Sequence, residues 1–296
     1  MTDSLPHLPP RKPDSHKGDF GRALLIGGSR GMTGAIALAG MSALRGGAGW
    51  VQLAVSSPCL DVVASFEASY MTAPLPADEH GRIVWQAREA LEELAAKATA
   101  AGCGPGLGRS ADLTRLVGWL YEHLPLPAVF DADALNALAE QPETLGRHAG
   151  PRILTPHPGE FLRLTKGDKQ WSRDEFERAA QELASRTNAV IVLKGHRTFI
   201  TDGQRQARNA TGNPGMATGG TGDVLTGLIT ALVCQQLSPF DAARLGVHLH
   251  GLAGDLAAED LGQVSLIASD LVRFLPAAFQ QFNAEQNATR VSGFGR

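Results

Sequence analysis

Short apolar segments alternate with longer helix-like segments along most of this 296-residue chain, and no other feature constrains the fold as strongly. Several of these segments are apolar on both faces, which is typical of parallel strands covered by helices on both sides. The pattern predicts strands at 23–26, 50–55, 98–103, 127–130, 152–154 and 189–193, with helices between them. We therefore expect an α/β fold with a mainly parallel central sheet and helices on both faces.

The ends of the chain differ in composition from its middle. Residues 1–15 form a proline-rich arm, 16–282 carry the alternating pattern, and the polar segment 283–296 shows no periodicity. We expect one domain at 16–282 and a disordered tail at 283–296. Within the domain, the segment 198–208 predicts a β-hairpin around Asp202-Gly203, and helices are expected over roughly 220–281.

Bulk composition excludes several classes of protein. The net charge is −3 and no basic cluster occurs, so we expect no nucleic-acid partner. The three cysteines are far apart and form no CxxC pair, and the first 13 residues contain no apolar stretch typical of a signal peptide. We therefore expect reduced thiols and a cytoplasmic location. The longest apolar run is too short and too interrupted to cross a bilayer.

The unusual loops all follow predicted strands. They lie at 27–34, 102–108, 131–136, 155–160 and 194–198. Parallel sheets bind ligands beyond the carboxyl ends of their strands, so these loops are expected to converge on one ligand-binding edge. The chain contains no Gly-Lys pair and hence no Walker A motif.

A glycine-rich segment, 213–223, runs directly into an apolar helix. Gly219, Gly220 and Gly222 let the backbone approach a ligand, and the first turn of the helix has unpaired N–H groups that favour an anion. Asp223 lies where that anion would bind. It is either a helix cap or a base that accepts a proton, and the two roles are compatible.

Four further positions are candidate site residues. His157 lies between two prolines and is either a turn residue or a ligand contact. Lys194 opens a loop that forms a surface turn or contacts phosphate or adenine. Asp131 and Asp133 end a strand and either help to hold Mg²⁺ beside phosphates or, in the case of Asp133, cap the next helix. His248 and His250 face different ways on a helix and are a poor metal pair.

Several motifs together resemble the ADP-dependent NAD(P)H-hydrate dehydratases, a branch of the ribokinase-like superfamily. The resemblance covers about residues 17–275, and the combination of Pro156-His157-Pro158-Gly159-Glu160 with the glycine-rich segment is its most specific part. Other matching motifs are Lys17-Gly18-Asp19-Phe20-Gly21, Thr33-Gly34-Ala35, the segment 102–108, the segment 131–136 and Val192-Leu193-Lys194-Gly195. Many members carry an epimerase domain before the dehydratase, and this chain resembles the stand-alone form.

The resemblance implies a reaction and a set of roles. The substrate is the S epimer of NADH or NADPH hydrated at C6, and ADP, with Mg²⁺, donates a phosphoryl group to the C6 hydroxyl. The family pattern assigns the hydrated dinucleotide to Ala35, Gly106, His157 and Asp223, with Asp223 as the base. It assigns the adenosine phosphate to Lys194, Gly195, His196, Arg197 and Thr198 together with Gly220, Thr221 and Gly222 of the anion hole. It also implies a homo-oligomer, with a tetramer favoured.

Two other functions stay open at this stage. An ATP-dependent kinase of the same superfamily that phosphorylates a vitamin precursor would keep Asp223 and the anion hole. A non-catalytic nucleotide-sensing module would keep the nucleotide loop but would not need Asp223. The motif around His157 favours the dehydratase over the kinase.

Overall fold

The computed structural model describes residues 4–168 and 170–293, the last six of them as backbone only. The described part contains one nine-stranded sheet in the order β3-β2-β1-β4-β5-β6-β7-β8-β9. Its strands are β1 Arg22–Ile26, β2 Trp50–Ser56, β3 Met71–Leu75, β4 Ala100–Cys103, β5 Ala128–Phe130, β6 Arg152–Leu154, β7 Val190–Leu193, β8 Phe199–Thr201 and β9 Gln206–Arg208.

The mainly parallel sheet is confirmed. Strands β1 to β7 pair in parallel, and β8 and β9 add an antiparallel hairpin at one edge. Each predicted strand is present, whereas β3 was not predicted. Pro74 interrupts its sequence, and a proline is tolerated there because β3 is the other edge strand.

Helices cover both faces of the sheet. They are α1 Thr33–Arg45, α2 Leu60–Ala64, α3 Arg88–Ala95, α4 Ala111–His123, α5 Asp133–Ala139, α6 Pro158–Thr165, α7 Arg173–Thr187, α8 Thr221–Cys234, α9 Pro239–Leu261 and α10 Ala268–Gly293. Alternate strand residues supply the two cores: Leu25 belongs to the core that contains residues of α1, α8, α9 and α10, whereas Leu24 belongs to the core that contains residues of α3 to α7. This two-faced burial explains why the strand segments are apolar throughout.

The carboxyl-terminal segment differs from expectation. Residues 283–293 continue helix α10, whereas 294–296 lie outside the described residues. Phe279 and Phe282 lie three residues apart on one helix face and pack against the core. Alanine, glutamine and glutamate then favour continuation of the helix. Helix α10 thus runs across the expected boundary at 282, and the bounds of the arm, the domain and the tail stay predictions.

Among the described residues, no helix combines the length and the hydropathy needed to cross a bilayer.

Candidate active site

The carboxyl ends of the central strands meet at one edge, as their sequence predicts. Backbone bonds join the loops directly: Gly28 N–H donates to Pro105 O over 2.9 Å, and Asp131 N–H donates to Cys103 O over 3.0 Å. The start of α8 joins the same edge, because Thr226 Oγ1 donates to Asp131 Oδ2 over 2.8 Å. The glycine-rich segment and the strand loops therefore form a single site.

A buried ion pair lies at the centre of this site. Lys194 Nζ is 2.7 Å from Asp131 Oδ1 and 3.8 Å from Glu160 Oε2. Asp131 and Glu160 are 1% and 6% exposed, so solvent screens neither carboxylate well. Burial opposes the charge on Lys194, but its two acidic neighbours outweigh burial and raise its pKa. Lys194 is therefore cationic and held in place beside the helix start.

Asp223 lies near this pair with a carboxylate that is not engaged by other protein groups. No hydrogen bond from the described residues reaches it, in contrast to Asp131 and Asp133. Burial raises its pKa to about 7, helped by the nearby carboxylates and opposed by Lys194. A base with a pKa near the working pH is well suited to general acid–base catalysis. Asp223 is not the N-cap of α8, since Gly220 occupies that position.

Gly220, in the turn before α8, adopts the positive φ that the glycine-rich segment predicts. This residue has φ of 94°, and a Cβ there would lie 2.7 Å from Leu38 Cδ1. Gly222 lies within the helix, so its backbone conformation does not require glycine, but the space around it does. A Cβ at Gly222 would lie 3.3 Å from Lys194 Nζ and 3.5 Å from Asp131 Oδ2, so it would fill the space in front of the ion pair.

A cavity of about 490 Å³ opens from the helix start and is lined by the predicted nucleotide loop. The loop residues Lys194 to Thr198 and the helix residues Thr221 and Gly222 line it, as do Leu225, Val247 and His250. His196 and Arg197 are exposed, and Arg197 has φ of 57°. This cavity brings together the residues predicted to bind the adenosine phosphate, apart from Gly220.

His157 and Glu160 form a capping box at the start of α6. His157 Nδ1 accepts from the N–H groups of Gly159 and Glu160 at 3.0 and 3.3 Å, and Glu160 Oε2 accepts from His157 N–H over 2.8 Å. Partial burial, Lys194 and Arg163 lower the pKa of His157, so its ring is neutral with the proton on Nε2. The side chain is 51% exposed and can reach a ligand at the site mouth.

The remaining predicted substrate contacts lie against each other. A Cβ on Gly106, which has φ of 63°, would come within 3.1 Å of Ala35 Cβ and 2.4 Å of Met32 O. The loop after β4 and the start of α1 therefore touch at this glycine. Ala35, Gly106, His157 and Asp223 all lie on loops or helix starts at the carboxyl edge of the sheet.

Asp131 and Asp133 do not form a ready-made metal cage. The described residues hold no group of three or more metal-ligating side chains, and Asp133 Oδ2 accepts from Gly108 N–H over 2.8 Å. Of the two alternatives for Asp133, the capping role is wrong, because Ala132 is the N-cap of α5 and no side chain bonds there. The site is nevertheless rich in carboxylates, since Asp131, Asp133 and Glu160 all lie close enough to Asp223 to raise its pKa.

Ala132 connects the two aspartates through a strained backbone. Its φ of 50° and ψ of −120° lie in a region that glycine adopts far more easily. Such strain persists at sites where the surrounding structure holds the chain in place. Here the conformation turns Asp131 toward Lys194 while Asp133 faces the loop after β4.

Ala132→Gly is expected to raise the free energy of unfolding by about 1 kcal/mol, because relief of the strain exceeds the extra freedom of the unfolded chain. Urea denaturation measures this. Ala137→Gly is the matched control inside α5, where glycine is expected to destabilise the protein by about 1 kcal/mol. Equal destabilisation by both changes would show that Ala132 is not strained.

Two groups in the site were not identified from the sequence. Thr226 supports Asp131 from within the apolar stretch of α8, and His250 Nε2 lies 2.8 Å from Thr221 O at the first residue of that helix. Both act on residues far away in the chain, so no local motif signals them. His248 and His250 do face different ways, since the His248 ring lies 5.7 Å from that of Phe282.

The fold and site together define a ribokinase-like α/β protein, with a glycine-rich helix start and an aspartate at the carboxyl edge of its sheet. A ribokinase-like superfamily protein of Enterococcus faecalis shares this fold, with a TM-score of 0.78 and 26% identity over 93% of this chain and 92% of that one. The chain belongs to the family described as NAD(P)H-hydrate dehydratase, whose model matches residues 23–277.

Similar proteins support this membership. The bifunctional NAD(P)H-hydrate repair enzyme Nnr of Moorella thermoacetica is 44% identical over 98% of this chain and 55% of its own length. The protein of the same name from Escherichia coli is 38% identical over 91% of this chain and 50% of its own length. The chain thus spans about half the length of these relatives.

Two solved structures share the fold, and the more similar of them is a dehydratase. An ADP/ATP-dependent NAD(P)H-hydrate dehydratase of Bacillus subtilis, crystallised with ATP and Mg²⁺, matches with a TM-score of 0.78 and 32% identity over 93% of this chain and 94% of that one. A hydroxyethylthiazole kinase of Pyrococcus horikoshii matches with a TM-score of 0.57 at 17% identity, over 88% of this chain and 89% of that one, and shares the fold alone.

Proposed function

We propose that this chain dehydrates the S epimer of C6-hydrated NADH or NADPH, with ADP as the phosphoryl donor, and so regenerates the reduced dinucleotide. The observation that carries the proposal is the position of Asp223. Its pKa of about 7 and its unengaged carboxylate make it a suitable base, and it is the third residue of α8, whose first two residues line the nucleotide cavity. Family membership then supports the choice of substrate.

The proposed chemistry has two stages. Asp223 removes the proton of the C6 hydroxyl, and the hydroxyl oxygen attacks the β-phosphorus of ADP, which releases AMP. The new phosphate ester is a better leaving group than hydroxide. The lone pair on the ring nitrogen expels inorganic phosphate, and loss of a proton from C5 restores the dihydronicotinamide. One hydrated dinucleotide and one ADP thus give one NAD(P)H, one AMP and one phosphate.

The N–H groups of the α8 start, from Gly220 to Asp223, are placed to stabilise charge on the transferring phosphoryl group. Three carboxylates, those of Asp131, Glu160 and Asp223, interact with one lysine in this site, so a polyphosphate would be repelled unless a divalent cation accompanied it. Mg²⁺ commonly binds through one or two carboxylates together with phosphate oxygens and water. One of the site carboxylates could serve in this way, and the ion would neutralise phosphate charge.

The donor is a separate question from the reaction. The B. subtilis relative is described as ADP/ATP-dependent and was crystallised with ATP. The cavity of about 490 Å³ supports the proposal of an adenosine phosphate as donor, and the choice of ADP rests on the family resemblance. The stand-alone form, a tetrameric assembly and a cytoplasmic location likewise stay predictions.

The deciding assay mixes the purified protein with hydrated NADH, Mg²⁺ and either ADP or ATP. A dehydratase restores the absorbance of the dihydronicotinamide and, with ADP, releases AMP and phosphate in a one-to-one ratio with NADH. A kinase of the same fold would instead phosphorylate a vitamin precursor with ATP and leave the absorbance unchanged. Protein that binds ADP but recovers no NADH with either donor would defeat the dehydratase and leave the kinase or the nucleotide-sensing module.

His157→Ala is expected to raise the KM for the hydrated dinucleotide about 10-fold, the effect of one lost hydrogen bond, while ADP affinity changes less than about twofold. The histidine lies on α6, whereas the nucleotide loop follows β7. His157→Asn is the matched control, because asparagine keeps the N-cap acceptor but not the imidazole. If only the alanine variant is impaired, His157 acts through the helix cap and not on the substrate.

A further inference from the structure

Helix α9 carries a row of residues that hold the glycine-rich segment in place. His250 and Gly254 are four residues apart, as are Gly251 and Asp255, so all four lie on one face. Asp255 Oδ2 accepts from Gly212 N–H over 2.8 Å, and Gly254 O accepts from Asn213 Nδ2 over 2.9 Å. Cβ atoms at Gly251 and Gly254 would lie 2.3 Å from Thr211 Oγ1 and Met216 Sδ, respectively, so the segment rests directly on this face.

His250 contacts the backbone at the first residue of α8. Its Nε2 lies 2.8 Å from Thr221 O, and a carbonyl oxygen only accepts, so Nε2 must carry the proton. Burial and Lys194 lower the pKa of His250 to about 4 against the effect of the Thr221 bond, and the ring is therefore neutral at pH 7. The ring thus keeps one tautomer and adds no charge beside a phosphate.

Thr221 C=O and Gly222 N–H belong to one trans peptide unit, so fixing the oxygen also fixes the direction of the N–H. A hydrogen bond to the carbonyl also polarises the peptide and strengthens the opposite N–H as a donor. Thr221 Oγ1 adds a second restraint by donating to the carbonyls of Met216 and Thr218, each at 3.1 Å.

We propose that His250 is a positioning residue that orients and polarises the 221–222 peptide, so that Gly222 N–H is directed at the phosphoryl group. The effect on turnover rests on the proposed function, whereas the effect on the peptide does not. The same contact places the imidazole in the wall of the nucleotide cavity, next to Leu225 and Val247. His250 acts through the backbone and does not transfer a proton to the substrate.

Two variants separate this role from simple packing. His250→Phe keeps a flat ring but removes the donor, and His250→Gln keeps an N–H at the end of a flexible chain. His248→Phe is the matched control, since it is the same change two residues away on a ring that faces Phe282. NMR measures the peptide directly. In protein labelled with [¹³C′]threonine and [¹⁵N]glycine, carbonyl–amide correlations come from the five Thr-Gly peptides alone. One of these is 221–222, and 33–34 and 226–227 serve as internal references.

With saturating ADP, His250→Phe is expected to shift the NMR signal of the 221–222 peptide. Its carbonyl ¹³C resonance should move upfield because the carbonyl loses a hydrogen bond, while the reference signals stay in place. The same variant should lower kcat about 10-fold, the effect of one hydrogen bond, with little change in the KM for the dinucleotide. His250→Gln should restore kcat to within about threefold of the wild type. His248→Phe should leave both readouts unchanged.

An unmoved 221–222 signal in His250→Phe would overturn the proposal, and so would equal losses in the phenylalanine and glutamine variants. The spectroscopic readout and the affinity for ADP, measured by calorimetry, do not depend on turnover. If the wild-type protein recovers no NADH, the proposed function fails, but a shifted 221–222 signal and weaker ADP binding in His250→Phe still support the positioning role.

Discussion

Asp223→Asn is expected to lower kcat by about 10²–10⁴-fold, which is the usual contribution of a positioned general base. Asparagine has nearly the same size and shape but cannot accept the hydroxyl proton. Because it also removes a negative charge beside the phosphates, ADP affinity should stay the same or improve. Steady-state kinetics and calorimetry with ADP test both parts, and a variant that retains more than half of the wild-type kcat would exclude Asp223 as the base.

The pH profile gives an independent test of the same residue. Burial and neighbouring carboxylates raise the pKa of Asp223 to about 7, so kcat/KM should rise with pH up to about 7 and then level off. Asp223→Asn should abolish this inflection. A profile that is flat between pH 5 and pH 8 in the wild type would contradict the assignment.

Stability should change in the opposite sense to activity. The folded pKa of Asp223 lies above its ordinary value of 3.8, so the native state binds more protons between about pH 4 and pH 7, and the contribution of this group to stability falls as pH rises. Asp223→Asn should therefore be more stable than the wild type above pH 7, and the gain should vanish below about pH 4. Denaturation at several pH values measures it.

Lys194→Met is expected to destabilise the protein by roughly 3 kcal/mol near pH 8, because it leaves Asp131 and Glu160 buried without their cation. Burial already raises the pKa of Glu160, and Lys194 opposes this rise. Without the lysine, the pKa of Glu160 should rise further, so the carboxylate should take up a proton and lose its buried charge as the pH falls toward 5. The loss of stability should therefore be larger at pH 8 than at pH 5.

Lys97→Met is the matched control, because Lys97 is exposed at the end of α3 and should change the free energy of unfolding by less than about 0.5 kcal/mol. Adding Asp131→Asn to Lys194→Met should recover part of the lost stability. Equal stability of the two methionine variants at pH 8 would show that the buried pair is unimportant. Where enough activity remains, the inflection of kcat/KM should also move to higher pH, since Lys194 lowers the pKa of Asp223.

The sequence alone determined the architecture, because the relevant signals are local. Strand residues such as Leu24 and Leu25 are both apolar, which only a sheet covered on two faces explains. Since parallel strands end at one edge, the positions of Asp131, His157 and Lys194 directly after strands were enough to predict that their loops meet. The glycines before Asp223 likewise marked the helix start, as the positive φ of Gly220 bears out.

Tertiary structure alone decided the electrostatics of the site. Asp131 and Lys194 are 63 residues apart in the chain, and their 2.7 Å contact depends on the pairing of β5, β6 and β7. The raised pKa of Asp223 arises from burial and from carboxylates on other loops, and the His250 contact depends on the packing of α9 against α8. Periodicity and motifs describe neighbours along the chain, whereas pairing, burial and charge coupling act between segments that meet only in the folded protein.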